Sequence, residues 1–219
     1  YELFHEDAKT ASTLLGLSLT SRDKGVNPIP MAGFPHHQLE SYLGKLIRLG
    51  YRAAVCEQVE DPKEAKGLVK REIVRVVSPG TVTDDGLLDP RESNFLAAIC
   101  WPPARGREAD RDKGQVGLAW CDLSTGRFQT GVFWARELSD QLARLSPSEA
   151  LISDDAEPES SSWEQSVHTM MRTVRPAWAF SLEGAQNALA KHFGTKSLEG
   201  FGFEDDDRLA IRAAGAILD

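Results

Sequence analysis

The chain has 219 residues, 41% of them hydrophobic and 26% charged, a composition able to bury a core and a length that suits two modest domains. No apolar run nears the roughly 20 residues that span a bilayer and no charged-then-apolar leader precedes a cleavage site, which argues against membrane insertion and secretion. The net charge of −8 is unevenly placed: residues 1–80 hold 11 Lys/Arg and 10 Asp/Glu, net +1, while residues 81–219 hold 14 and 23, net −9. A polyanion is therefore expected to meet the first part, although an ordinary surface can carry charge just as unevenly.

In chain order, Ala8, Ala11, Leu14 and Leu15 share one face of a helix predicted over 6–15 and stopped at Gly16. A short strand, LSLTSR, and a Gly/Pro-rich loop, KGVNPIPMAGFP, follow. Leu39, Tyr42, Leu43, Leu46 and Leu49 recur every three or four residues on a second helix, which Gly50 is placed to cap. YRAAVCEQVE reads as a strand, DPKEAKG as a helical turn begun by Asp and Pro, and VKREIVRVV as another strand.

The stretch SPGTVTDDGLLDPRESN, residues 78–94, is rich in Pro, Gly, Asp and Ser without periodicity, which predicts an exposed linker. Beyond it FLAAICW, QVGLAWCDL and RFQTGVFW read as three strands, the last two a hairpin turning at STGR. The charged loop PPARGREADRDKG separates the first two. Then come a helix at ARELSDQLARL, a strand at EALIS, a solvated break at DDAEPESSS and a helix around WEQSVHTMM. A strand at RTVRPAWAF and helices at SLEGAQNALAKHF and DDDRLAIRAAGAILD complete the chain. Strands alternating with helices after a hairpin predict an α/β fold with a mixed sheet flanked by helices. The three cysteines, Cys56, Cys100 and Cys121, are widely spaced in apolar sequence, which fits buried thiols in a reducing cytoplasm and argues against zinc.

The segments YELFHEDA, IPMAGFPHHQLESYLGKL, GYRAAVCEQVEDPKEAKGLVKREIVRVVSPGT and CDLSTGRF, in this order and spacing, resemble the amino-terminal third of the MutS family of bacterial DNA mismatch-recognition proteins. The resemblance implies two α/β domains, each a mixed sheet flanked by helices: mismatch recognition over 1–80, a linker over 81–94, and a connector of ribonuclease-H-like fold over 95–219. It implies mismatched double-stranded DNA as the ligand. A MutL-type protein, met through the connector, and the remaining MutS domains are the implied partners. No cofactor, no membrane, a cytoplasmic location and a monomeric fragment are implied for this part, because the family dimerises mainly through domains lying elsewhere.

In this family the first strand carries a Phe-Tyr-Glu triplet, whose phenylalanine wedges beside the mispaired base while the glutamate hydrogen-bonds that base. Tyr1 and Glu2 match the second and third positions, so the wedge is expected immediately ahead of Tyr1, outside the 219 residues. An aromatic face stacks on any base and helps kink the duplex where pairing is already poor. A carboxylate among phosphates makes sense if it accepts a hydrogen bond from the base or is protonated to donate one. A solvated charge at a strand end is the plain alternative for Glu2.

Four further groups stand out. Arg22 and Lys24 in TSRDKG could pair with phosphates, and the resemblance places Arg22 on the DNA-facing surface, although an exposed charge pair has the same sequence. Met31 and Pro35 could pack into a widened minor groove or simply beneath their own loop. His36 and His37 precede a helix, where a ring nitrogen or free amide, His37 foremost, could meet a phosphate; adjacent histidines point apart on most backbones, which argues against a metal. Lys63, Lys66, Lys70, Arg71 and Arg75 read as a solvated basic face balanced by Glu57, Glu60, Asp61, Glu64 and Glu72.

Two rival readings stand beside DNA recognition: a pure protein-interaction module, which fits the acidic second part, and a nuclease. In a ribonuclease-H-like domain Asp122 lies on a strand where such enzymes carry a catalytic carboxylate, but two-metal hydrolysis needs several acids converging on ions about 4 Å apart. Glu149, Asp154 and Asp155 are the available partners, and a structural Asp122 that bonds the STG turn is the favoured alternative. No G-x-x-x-x-G-K-[ST] loop occurs in the 219 residues, so ATP hydrolysis by the family's mechanism is not expected of them.

Overall fold

In the computed structural model, which describes residues 1–21, 25, 27–61, 67–84, 86–88, 93–103, 114–156 and 170–219, the contacts of the chain divide it into two units. The first comprises Tyr1–Ser78 and Asp84–Leu87, the second Pro79–Thr83 and Leu88–Asp219. Among the described residues no helix is long and apolar enough to cross a membrane.

In the first unit β1 (Glu2–Phe4) runs straight into α1 (His5–Leu15), which buries Ala8 and Ala11. Gly16 ends the helix in the left-handed conformation that glycine adopts without a Cβ penalty. β2 (Met31–Gly33) pairs antiparallel with β1. The strand expected at LSLTSR reduces to one bridge between Thr20 and Met31, since β2 is only three residues long and Leu19 stays exposed. α2 (Leu39–Arg48) buries Leu43, Gly44 and Ile47, and the Gly50 N–H donates to the Ile47 carbonyl at 2.9 Å as its end closes.

β3 (Ala53–Gln58) and β4 (Arg71–Val77) form an antiparallel pair in which Val74 is the extra residue of a bulge opposite Val55 and Cys56. Ala53, Val55 and Glu57 take the inward phase of β3, which leaves Cys56 exposed rather than buried as expected. Among the described residues this unit's strands lie in two separate antiparallel pairs, so the mixed-sheet expectation is met in the second unit only.

There, β5 (Phe95–Cys100), β6 (Gln115–Asp122), β7 (Arg127–Trp134), β8 (Glu149–Ser153) and β9 (Met171–Arg175) line up in the order β7-β6-β5-β8-β9. The β7-β6-β5 pairs are antiparallel and the β5-β8-β9 pairs parallel. α3 (Leu138–Leu145) covers one face with Leu138, Leu142 and Leu145, against Phe95, Ala97, Ile99, Val116, Leu118 and Trp120. α4 (Leu182–Phe193) and α5 (Arg208–Leu218) cover the other, against Leu96, Ala98, Cys100, Ala119 and Cys121. Burial on both faces explains why FLAAIC reads as an unbroken apolar run. The second unit is thus a mixed five-stranded sheet with helices on both faces, the α/β arrangement expected for it. α5 lies so close to β6 that a Cβ on Gly117 would overlap the Leu209 carbonyl.

β9 stops before Pro176, which has no N–H for the ladder, and Ala177–Phe180 winds into a 3₁₀ turn instead of continuing the expected strand. The start of the expected exposed linker is docked instead. Pro79–Thr81 forms a 3₁₀ turn with Pro79 and Gly80 buried, and Val82 and Leu87 are buried as well. Polar partners make that burial affordable: the Gly80 N–H donates to Glu149 Oε2 at 3.1 Å, and Asn94 Nδ2 donates to the Pro79 carbonyl at 2.8 Å. Residues 62–66 of the helical turn expected at 61–67, 104–113 of the loop expected at 102–114 and 163–169 of the helix expected over 163–171 lie outside the described residues; Met171, expected to end that helix, opens β9 instead.

Candidate nucleic-acid interface

A three-residue strand holds little by itself, so the placement of Glu2 depends on what surrounds β1. Glu2 faces Gly33, Leu3 faces Ala32 and Phe4 faces Met31 in the register with β2. The ladder extends past the strand: the Tyr1 nitrogen donates to the Phe34 carbonyl at 2.8 Å and the Phe34 N–H returns to the Tyr1 carbonyl at 3.0 Å. At the other end the His5 N–H donates to the Pro30 carbonyl at 2.9 Å. His5 has φ of 55°, the left-handed region in which a non-glycine residue is strained, and this residue turns β1 directly into α1. Alternation along β1 leaves Leu3 half-buried and Glu2 and Phe4 exposed.

The loop that carries Met31 and Pro35 is braced by rings. Tyr1 and Phe34 lie 5.9 Å apart, and Phe34 stacks on Tyr42 of α2 at 4.4 Å, contacts of about 0.5–1.5 kcal/mol each beyond the area they bury. The Lys45 ammonium sits 4.9 Å from the Tyr42 centroid. The Tyr1 hydroxyl donates to Glu57 Oε1 on β3. This bond, with burial adding to it, raises the tyrosine pKa above its ordinary value, because the proton is held against a carboxylate.

Tyr1, Glu2, Met31, Pro35 and His37 therefore fall on one continuous piece of the first unit, the β1–β2 pair and the 3₁₀ turn His36–Gln38 that follows it. Met31 is half-buried, whereas Glu2, Pro35 and His37 are exposed. Arg22 and Lys24 lie outside the described residues. The ring centroids of His36 and His37 lie 6.1 Å apart, with the rings edge-on. No group of three or more His, Cys, Asp or Glu fit to hold a metal occurs among the described residues.

Lys70 pairs with Glu72 at 2.6 Å, and Arg75 with Glu40 at 3.1 Å and Asp84 at 3.7 Å, so part of the basic face is offset by carboxylates; Lys63 and Lys66 lie outside the described residues. Glu57, counted among the balancing carboxylates in the sequence reading, serves Tyr1 instead. Sequence reasoning thus missed Phe34, Tyr42 and Glu57. The signal for Glu57 was present: an acid on the inward phase of an alternating strand requires a polar partner.

The four carboxylates that a nuclease reading calls on are each bonded within the second unit. Asp122 is 4% exposed and accepts from the Ser124 N–H at 3.0 Å and the Ser124 hydroxyl at 2.6 Å. Burial opposes its ionisation, but hydrogen bonds from Ser124 and Thr125 outweigh that and lower its pKa. Glu149, 2% exposed, accepts from Gly80 and, at 2.6 Å, from the Thr173 hydroxyl. Asp154 accepts from the Ala177 N–H at 2.9 Å, and Asp155 from the Ser153 hydroxyl. Asp122 pairs with Phe95 and Glu149 with Leu96, neighbours on β5 that face opposite sides of the sheet. The two carboxylates cannot converge on one ion.

Residues 1–86 match the family model for MutS domain I and residues 94–219 that for MutS domain II. The DNA mismatch repair protein MutS of Rhodopirellula baltica (strain DSM 10527 / NCIMB 13988 / SH1) is 54% identical over 234 aligned positions that cover all of this chain and 25% of that protein. The chain thus spans about a quarter of the length of this curated relative. Among solved structures, T. thermophilus RuvC in complex with a Holliday junction substrate aligns at a TM-score of 0.34 and 10% identity, over 56% of this chain and 91% of that one. With both family domains matched in order along the chain and the curated relative aligned over all of it, the chain belongs to the MutS family.

Proposed function

We propose that these residues form the part of a MutS protein that reads mismatched duplex DNA, with residues 1–80 recognising DNA, 81–94 joining and 95–219 connecting. The observation that carries the reading is an exposed carboxylate, Glu2, at the edge of a strand pair pinned on both sides of it by backbone bonds of Tyr1 and His5. Held in this way, the carboxylate can accept from a base without a large ordering cost on binding. Pro35, Met31 and His37 share its piece of chain and would border the same groove, with Arg22 and Lys24 supplying phosphate contacts.

The connector would meet a MutL-type protein and the remaining MutS domains in the cytoplasm. The 219 residues alone would be monomeric, without cofactor, and without ATPase or nuclease activity. For the nuclease, the commitment of Asp122 to its turn and of Glu149 to the opposite face supports that reading.

The test is duplex binding by a MutS-length protein carrying these residues, with Glu2→Ala against wild type. Loss of one base contact of about 1–3 kcal/mol is expected to lower the ratio of G·T to matched affinity by about tenfold or more, with matched affinity nearly unchanged. An unchanged ratio would overturn the role of Glu2.

A further inference from the structure

Glu57 lies 56 residues from Tyr1 in sequence, on a different sheet from β1, and its carboxylate accepts the Tyr1 hydroxyl proton donor across that gap. The bond belongs to a continuous series. From Glu57 it passes through the Tyr1 ring to Phe34 at 5.9 Å, from Phe34 to Tyr42 at 4.4 Å, and from Tyr42 to the Lys45 ammonium at 4.9 Å. Tyr1 and Phe34 are also bonded backbone to backbone in both directions. The ends of the series sit on β3 and α2, while its middle is the edge that presents Glu2 and the loop through Pro35.

The geometry points to Glu57 as a positioning residue: through the Tyr1 hydroxyl it fixes the edge on which Glu2 and the 28–35 loop are presented. Its functional half rests on the DNA reading above. A hydroxyl donating to an ionised carboxylate makes a stronger and more directional bond than one donating to a neutral acceptor. β1 and β2 are too short to hold their angle unaided. α1 supports them from the side on which Ala8, Ala11 and Ala32 are buried, and the Tyr1 hydroxyl ties the other end to β3. Without that tie the tyrosine ring keeps its stacking partner but loses its fixed direction, and Glu2, the next residue along the backbone, loses it too. A positioned base contact tolerates little play, whereas phosphate contacts tolerate a good deal. Discrimination should therefore suffer before affinity does.

Two measurements test the inference. In the 219-residue chain, amide hydrogen exchange at Phe34, whose N–H bonds the Tyr1 carbonyl, is expected to quicken about tenfold in Glu57→Ala and in Tyr1→Phe. The double variant should go no further, and Glu57→Gln, still an acceptor, should stay within about twofold of wild type. Exchange at Ala98, in the second unit, is the control. Unchanged exchange in Glu57→Ala, or effects that multiply in the double variant, overturns the tie. In a MutS-length protein carrying these residues, Glu57→Ala is expected to lower the G·T-to-matched affinity ratio about tenfold while matched affinity moves less than about twofold, with Glu57→Gln restoring the ratio. A wild-type protein that discriminates and a Glu57→Ala variant that discriminates equally overturn the positioning role. A wild-type protein with no preference overturns the mismatch reading instead, and the exchange result then decides the tie alone.

Discussion

Gly33 lies against the Tyr1 carbonyl so closely that a Cβ at residue 33 would stand 2.7 Å from that oxygen. The obstacle is backbone, which cannot swing aside as a long side chain would. The same carbonyl accepts from the Phe34 N–H at 3.0 Å, so any shift that relieves the clash strains that bond. Gly33→Ala is therefore expected to loosen the β1–β2 edge and lower stability by about 1–3 kcal/mol, the usual cost of forcing atoms into a filled site. Thermal unfolding with amide exchange at Phe34 checks it, and an unaltered melt with unaltered exchange would show that the strand pair can move apart freely.

Asp122 supports a pH prediction whose sign follows from its lowered pKa. The hydrogen bonds of the turn favour the ionised form in the folded chain, so the stability Asp122 contributes is complete above its unfolded pKa of about 3.9. It fades as the pH falls through the lower folded value. Asp122→Asn should cost about 1.5–3 kcal/mol at pH 7, the range for hydrogen bonds to a charged group, and the gap should narrow in strong acid. Urea unfolding of both proteins at neutral and acid pH measures the gap; one that does not narrow on acidification would remove ionisation from the account. The same variant addresses the nuclease reading, since magnesium-dependent cutting of DNA that vanished with Asp122→Asn would reinstate it.

The cysteines should separate by reactivity. Burial first, and the neighbouring Asp122 charge second, push the Cys121 thiol up to about 11, which leaves little thiolate at neutral pH. Cys100 is buried as well, whereas Cys56 is exposed. One rapid maleimide adduct is expected on the native chain, mapped by mass spectrometry to Cys56 and abolished by Cys56→Ser. Because the folded Cys121 pKa is raised, its thiol form favours the fold below the unfolded pKa of about 8.5, and that contribution is lost as pH rises toward 11. Rapid labelling of Cys121 in the native chain would contradict its burial between β6 and the α4–α5 face.

Features set by local burial were legible in the sequence, and features set by distant partners were not. The stripe of Leu39, Leu43 and Leu46 and the run FLAAIC announce a half-buried helix and a doubly covered strand, because periodicity records which face meets the core. The docking of Pro79–Thr81 was hidden, since Pro, Gly and Ser compose exposed and docked turns alike, and the deciding acceptor, Glu149, stands 69 residues from Gly80. For Glu57 the inward phase of its strand announced that a polar partner was needed, but which partner, Tyr1 at 56 residues' distance, was hidden. The candidate DNA residues Tyr1, Glu2, Met31, Pro35 and His37 came to notice through resemblance rather than through any physical pattern, for an exposed glutamate or proline has no periodicity to betray it. Their bracing through Phe34 and Tyr42 is visible only in three dimensions.

The 219-residue chain by itself is expected to bind duplex DNA weakly. Among the described cations of the first unit, Lys9, Lys70 and Arg75 are ion-paired, but exposed pairs are worth only about 0–1 kcal/mol, so a phosphate can compete for them. Residues 81–219, with their net charge of −9, should repel DNA. A small footprint of about three phosphates is expected, giving a slope of roughly −2.7 in log affinity against log salt at about −0.9 per phosphate, and Arg22→Ala should make it shallower by about 0.9. Preference for a G·T mismatch should stay below about tenfold, or roughly 1.4 kcal/mol. The aromatic wedge implied ahead of Tyr1 is not among these residues, and its stacking would supply about 1–3 kcal/mol toward a bending cost of about 1–6 kcal/mol. Fluorescence anisotropy of matched and G·T duplexes across a salt series, for wild type and Arg22→Ala, measures all three quantities. Binding that salt leaves untouched would remove phosphate contact as its source. A mismatch preference well above tenfold would show that Glu2 and the 28–35 loop discriminate without the wedge, and the division of labour between stacking and hydrogen bonding would have to be redrawn in favour of the carboxylate.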